Sequence, residues 1–484
     1  MPAREQRVAW LNALPPLGVL LSMVWIAYLL LLGGWIVLQK RSPVATLGWL
    51  LALGALPYVG FLIYYLFGPQ RIERRRNNRE ASRRAVEQSR DGWRRRGRTD
   101  ALQQASSLGR LIDNATGYPP TLASAHHLLS GGEAAFEAIF AAIRSARRTV
   151  HLEYYIYERD SIGTALRDLL MAKAREGVKV RLLVDAVGSA RVSRRWMRPL
   201  LDAGGELAFF HATSLRRFRP VLNMRTHRKI VVVDGRIGLT GGINVTDAQD
   251  QRRCREPYHD LHLQIEGPAV YWLEQMFLED WHYSTGDVPD SPPPPELPAE
   301  RGQGEWVQVI PAGPDQVHAP ILRAKITAME RARQRVWLTT PYFVPDEPAL
   351  FALTSAALRG VDVRILVPRR SDNLIVTLAA RSWYGELLRA GVRIWEYGPR
   401  MLHSKSLVVD ESYSFVGTDN FDNRSFRLNF EVAVLNYEAV AARALARQFE
   451  ADLASAHEVI VRQPRRKVWQ RFPEALARLA SPLL

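Results

Sequence analysis

The sequence predicts an α/β protein made of two pseudo-twofold-related α/β/α repeats behind an N-terminal hairpin of transmembrane helices. Three observations predict it. Two charge-free apolar stretches open the chain, short strand-like runs then alternate with segments of helical period, and the second half of that alternation repeats the first. At 484 residues the chain exceeds what one core usually holds, so two comparable units are expected. Hydrophobic residues at 47% and charged residues at 24% exclude a largely disordered chain. The one cysteine, Cys254, excludes an intrachain disulfide framework.

Residues 1–68 read as a membrane anchor. Leu17 to Leu38 gives 22 residues without a charge and Val44 to Gly68 gives 25, against about 20 needed to cross a bilayer core. A cleaved signal peptide fits the first stretch poorly, because it has no small-residue cleavage pattern and runs almost at once into the second. Pro57 is expected to kink the second helix, and Trp25, Trp35, Trp49 and Tyr64 suit the interface.

Residues 69–120 read as a basic juxtamembrane linker. Between Pro69 and Arg98 twelve Arg stand against four acids, which is half of the chain's net charge of +16. Such a block suits an anionic membrane surface or a nucleic acid, and its place directly after the apolar stretches favours the membrane, so no nucleic acid is expected. The positive-inside rule puts this block and all that follows on the cytoplasmic side.

The first repeat, 121–286, contains VHLEYYIY (Val150 to Tyr157), a helical segment, and GVKVRLLVD (Gly177 to Asp185). A Pro-rich polar linker over 287–305 follows. The second repeat, 306–484, contains VWLTTPYFVPD (Val336 to Asp346), a helical segment, and GVDVRILVP (Gly360 to Pro368). It ends in an amphipathic segment with Trp469, Phe472, Leu476 and Leu479 roughly on one stripe. That segment is expected to pack on the core, with membrane-surface contact as the alternative.

The repeats carry the chemistry. THRKIVVVDGRIGLTGGIN (Thr226 to Asn244) and LHSKSLVVDESYSFVGTDN (Leu402 to Asn420) both fit H-x-K-x(4)-D-x(6)-G-[GT]-x-N, 176 residues apart. Two copies with the same extension are not a chance match. His227 with Lys229, and His403 with Lys405, sit two apart at the start of a strand and share a face. An imidazole offers a nucleophile or proton carrier, and an ammonium beside it neutralises phosphoryl oxygens. Asn244 and Asn420, each 17 residues beyond its His, can donate to the same oxygens. Two such sets about one phosphorus suit a double displacement.

The paired motifs resemble the phospholipase D superfamily over nearly all of the chain beyond about Thr121. The resemblance implies metal-independent phosphodiester transfer, with no cofactor and no metal. It implies His227 as nucleophile, His403 as general acid and then base, and Lys229, Lys405, Asn244 and Asn420 as phosphate ligands. Asp234 and Asp410 complete the motifs as candidate site residues and in the superfamily mainly support structure. An acidic residue after each motif orients the opposite His, implying Asp260 for His403 and Glu431 for His227.

RSPVATLGWLLALGALPYVGFLIYYLFG (Arg41 to Gly68), TPYFVPD, NFDNRSFRLNFE and the terminal SPLL further resemble bacterial cardiolipin synthases. That implies phosphatidylglycerol as donor and acceptor, glycerol as leaving group, and a multi-pass protein of the bacterial inner membrane. A membrane-bound phospholipase D-type hydrolase or nuclease is the alternative on the same His pair. His259 and His262 flank Asp260, but three apart on a strand they face opposite ways, so a structural role is expected rather than metal binding.

Overall fold

The computed structural model describes residues 17–38, 43–55, 106–211, 224–288, 304–398, 400–460, 468–479 and 481. The Arg-rich block, the stretch 56–68 with Pro57 and Tyr64, and most of the Pro-rich linker lie outside the described residues. The chain divides into two compact units, one N-terminal and one holding both repeats.

In the N-terminal unit, α1 spans Leu17–Leu38, 22 residues without acid or base in its first or last turn, and α2 spans Pro43–Ala55, 13 residues. They touch through Ile36 and Leu53. Among the described residues no helix is long and apolar enough to cross a membrane.

The second unit begins with α3 (Ser107–Thr116), β1 (Thr121–Ala123), β2 (Ala125–Ser130), α4 (Gly132–Ser145), β3 (Thr149–Tyr154), α5 (Ser161–Arg175) and β4 (Lys179–Asp185). Next come α6 (Arg198–Asp202), β5 (Glu206–Phe210), β6 (Lys229–Val233), β7 (Ile237–Gly241), β8 (Leu261–Glu266) and α7 (Val270–Thr285). The second half runs β9 (Glu305–Ala312), α8 (Pro320–Arg331), β10 (Arg335–Thr339), β11 (Phe343–Val344), α9 (Glu347–Leu358), β12 (Asp362–Pro368), α10 (Leu374–Arg389) and β13 (Arg393–Tyr397). It closes with β14 (Ser406–Val409), β15 (Tyr413–Gly417), β16 (Phe421–Asp422), α11 (Asn423–Arg427), β17 (Glu431–Asn436), α12 (Ala439–Leu453), β18 (Ala456–Glu458) and α13 (Val468–Leu479).

The repeat is visible in the sheets. One has the order β2-β8-β7-β6-β3-β4-β5 and the other β1-β9-β17-β15-β14-β10-β12-β13-β18. Within each, a parallel pair (β3 with β4, β10 with β12) joins a motif strand that runs antiparallel to it (β6, β14). Both motif strands are buried throughout, which explains their unbroken β-branched and leucine runs. One apolar cluster covers the first sheet under α4 and α5, and another covers the second under α8, α9 and α10. A third joins both sheets, with Ile230 and Leu263 from one and Val408 and Val432 from the other.

The repeats are therefore not separable at the expected boundaries. β1 leaves the first repeat to pair with β9, Thr121 opposite Val307. The described end of the stretch expected as linker is a helix: in α3, Leu108 and Ile112 are buried in the second repeat's core. Ser106 caps it by accepting from Gly109 N at 3.3 Å, and Gly117, in the left-handed conformation, ends it.

Candidate active site

Each motif begins as a backbone contact between the halves. His227 N donates to Phe430 O at 2.8 Å, and Phe430 N donates to Arg225 O at 2.8 Å. The same exchange recurs where His403 N meets His259 O at 2.7 Å and His259 N meets Met401 O at 2.8 Å. Residue 430 precedes Glu431 and residue 259 precedes Asp260, so this stitching delivers each carboxylate to the imidazole of the other half. Glu431 lies 2.9 and 3.0 Å from His227 Nδ1, and Asp260 lies 2.6 Å from His403 Nδ1. In each neutral imidazole Nδ1 thereby carries the proton and Nε2 the lone pair, and an imidazolium carries its second proton at Nε2.

The lysines fold back beside their histidines. Lys229 Nζ donates to His227 O at 2.6 Å, and Lys405 Nζ donates to His403 O and lies 2.9 Å from Nδ1. With Nδ1–H committed to Asp260, that last contact is charge proximity rather than a hydrogen bond. Asn244 Oδ1 accepts from Ile156 N at 3.3 Å, which leaves its amide NH₂ as the available donor. Asn420 Oδ1 has no hydrogen-bond partner among the described residues. Both asparagines, both lysines and both carboxylates are buried, while His227 and His403 keep 7% and 6% of their surface. Tyr155 meets the His227 ring edge-on at 4.9 Å, and Tyr258 lies 5.7 Å from the His403 ring.

The motif aspartates lie elsewhere. Asp234 and Asp410 end their strands at the turn, both with φ +53°, and each carboxylate accepts three backbone N–H groups. Asp234 takes those of Arg147, Arg148 and Thr149 at 2.8–2.9 Å, and Asp410 those of Arg333, Gln334 and Arg335 over the same range. Each aspartate lies seven residues beyond its histidine, across a strand of five residues in β6 and four in β14 and on the order of 20 Å away, so among the candidate site residues these two fasten the turn, the supporting role the resemblance implies, and do not reach the imidazoles.

The comparisons with known proteins give the family. The family model described as cardiolipin synthase, PLD-like domain, matches twice, over residues 139–281 and 326–453. The chain belongs to the cardiolipin synthase family. A phospholipase D-nuclease N-terminal model matches residues 23–69. A cardiolipin synthase of Geobacillus kaustophilus is 41% identical over 465 residues, 92% of this chain and 90% of that protein. One of Alkalihalophilus pseudofirmus is 37% identical over 96% of this chain and 94% of its own. The solved phosphatidylserine synthase of Haemophilus influenzae has the same fold, with a TM-score of 0.58, 14% identity, and coverage of 78% of this chain and all of that one.

The two sides of this family member's site differ electrically. His227 is held well below the ordinary imidazole range, by burial first and then by Lys229 and Lys405. His403 is lowered by burial and Lys405, with Asp260 opposing. Burial would raise Asp260, but Lys405 and His403 together hold it below the usual carboxylate value. At Glu431 burial outweighs Lys229 and the carboxyl is raised. Burial pushes Lys229 down to about 7 and Lys405 to about 8.

Several positioning residues escaped the sequence reading. Gln249 Oε1 accepts from Asn244 N, and its Nε2 stands 3.4 Å from both Asp260 and His403 Nδ1. Ser425 takes the matching place, accepting from Asn420 N at 3.1 Å. Both lie five residues beyond their asparagine, an offset legible in the repeat. Thr418 and Asn429 donate to Glu431 at 2.5 and 3.2 Å. At the position equivalent to Thr418 the first motif has Gly242, where a Cβ would fall 1.9 Å from the Asp260 carboxylate. Among the described residues no group of three or more His, Cys, Asp or Glu could hold a metal ion. His259 instead reaches Asp452 at 2.8 Å, and His262 is buried in β8.

Proposed function

We propose that this chain is a cardiolipin synthase that joins two phosphatidylglycerols by double displacement at the His227 and His403 pair. The observation that carries the reading is the crossed carboxylate–imidazole pairing, which gives each half of the chain one histidine and the other half's orienting acid. In the first step the Nε2 lone pair of His227 forms a bond to phosphorus while the bond from phosphorus to the glycerol oxygen breaks. His403, protonated at Nε2, gives its proton to that oxygen and glycerol leaves. In the second step His403 takes the proton of a headgroup hydroxyl on another phosphatidylglycerol. That oxygen bonds to phosphorus, the bond to nitrogen breaks, and the enzyme returns to its starting state.

The environment supports these roles. A strongly lowered His227 is neutral and nucleophilic, while at His403 the ionised Asp260 carboxylate opposes the burial and the Lys405 charge that lower it, and so stabilises the imidazolium the first step requires. Lys229 and Lys405 offset the charge of the phosphoryl oxygens, and the amides of Asn244 and Asn420 donate hydrogen bonds to them. The two apolar N-terminal stretches act as a hairpin anchor in the bacterial inner membrane, with the Arg-rich block and catalytic unit on the cytoplasmic side. Each basic side chain near an anionic surface adds on the order of 1 kcal/mol of attraction.

The test uses detergent-purified protein and phosphatidylglycerol alone, separating lipids and assaying free glycerol. Cardiolipin is expected in step with glycerol, with no phosphohistidine trapped in His227→Ala and a slowly discharged one in His403→Ala. An intermediate in His227→Ala would reverse the roles, and phosphatidic acid without cardiolipin would make the protein a hydrolase.

A further inference from the structure

The amphipathic helix α13 packs by the wrong face for a core helix. Ala477 is its buried contact, set among Val344, Val376 and Ala379 of β11 and α10. Phe472, Leu476 and Leu479, one stripe at i, i+4 and i+7, point away and remain 64%, 58% and 77% exposed. The neighbouring helix α10 opens on further exposed apolar side chains. Its first two residues, Leu374 and Ile375, are 71% and 51% exposed. The side chain of Asn373 fixes that turn by accepting from Ile375 N at 2.9 Å.

Two further features say what covers this surface. Arg369 and Arg370, both exposed, lead into α10, and the Arg478 guanidinium lies 3.6 Å over the Trp383 ring on the side of α13 facing α10. Guanidinium groups bordering apolar side chains match a surface with anionic heads and an apolar interior. The surface also borders the catalytic site. Asp372, next to Asn373, accepts from Tyr342 at 2.7 Å and is close enough for its charge to act on Lys405. α10 packs on β11, whose partner β16 begins immediately after Asn420.

We propose that Leu374, Ile375, Phe472, Leu476 and Leu479 form a docking surface for an anionic lipid bilayer, holding the His403 side of the active site at the lipid surface. The proposal rests on the proposed function only in taking bilayer lipid as substrate. It adds a contact made by the catalytic unit itself, independent of the N-terminal anchor.

Full-length protein with Cys254→Ser would carry a polarity-sensitive label at Leu476→Cys or, as control, at the exposed Phe351→Cys of α9. It would be reconstituted at one copy per vesicle in phosphatidylglycerol–phosphatidylcholine vesicles. A blue-shifted label at 476, quenched by lipid-borne quencher while the label at 351 is not, is the expected result. No quenching at 476, equal quenching at both positions, or a blue shift that appears only at several copies per vesicle, which would mean a second copy covers the face, overturns the proposal. In parallel, Leu476→Asp with Leu479→Asp should raise the apparent KM for bilayer phosphatidylglycerol by ~10-fold or more. Turnover of monomeric short-chain phosphatidylglycerol should stay unchanged, which also shows that the variant is folded. An unchanged bilayer KM overturns docking. If the unsubstituted protein makes no cardiolipin from the short-chain lipid, the function fails while the label result still decides docking.

Discussion

At the imidazoles the chemistry depends on where two protons reside. His403 must be charged to release glycerol, and the carboxylate of Asp260 at 2.6 Å stabilises that form. Removing the carboxylate lowers the imidazole pKa further, so in Asp260→Asn the alkaline limb of kcat/KM should move to lower pH. Turnover should fall by roughly 10²–10⁴-fold, and a pH–rate profile checks both. The lysines act in the same direction at high pH. Rising through about 7 and about 8 deprotonates Lys229 and Lys405 in the free enzyme, so KM for the anionic lipid should climb there. Gly242→Ala drives a Cβ into the Asp260 carboxylate and should abolish most activity while leaving the fold, measured by circular dichroism and turnover together.

Among elements, the motif strands are held at both ends by different means. At the turn end Asp234 and Asp410 clamp the chain leading into β3 and β10. Asp234→Asn keeps one acceptor oxygen for three N–H groups and should cost about 2 kcal/mol of stability, read by denaturant titration, with kcat nearly unchanged. At the catalytic end the second half relies on a buried pair, Lys325 of α8 with Asp419 at 2.6 Å, directly before Asn420. Lys325→Met leaves Asp419 buried without its cation and should destabilise the protein by about 3–5 kcal/mol. The same melting curve should show Asp419→Asn to be destabilising as well, since the buried Lys325 ammonium is then left without its anion.

Across the molecule, one catalytic site takes a histidine from each repeat, and the repeats share a core and a strand. Mixing intact His227→Ala with intact His403→Ala should therefore restore no cardiolipin synthesis, because neither chain can supply the missing group to the other. Recovery of up to a quarter of wild-type activity would indicate exchange of halves between chains. Residues 121–286 expressed alone should fail to fold, since β1 and the shared cluster lose their partners, and hydrogen exchange would show it.

The sequence by itself determined the repeat, the two H-x-K-x(4)-D sets and the chemistry they allow, because a buried strand and a phosphate-binding pair both leave short, local residue patterns. The offset that places Gln249 and Ser425 was also present, but with unlike residues at the two positions no motif announced it. Tertiary structure alone decided which backbone N–H groups Asp234 and Asp410 fasten, and that α3 and β1 belong to the second repeat's core and sheet. It also decided that Phe472, Leu476 and Leu479 of α13 face outward. Each of these depends on which surface of an element meets which neighbour, and periodicity identifies an apolar face without saying what that face will touch.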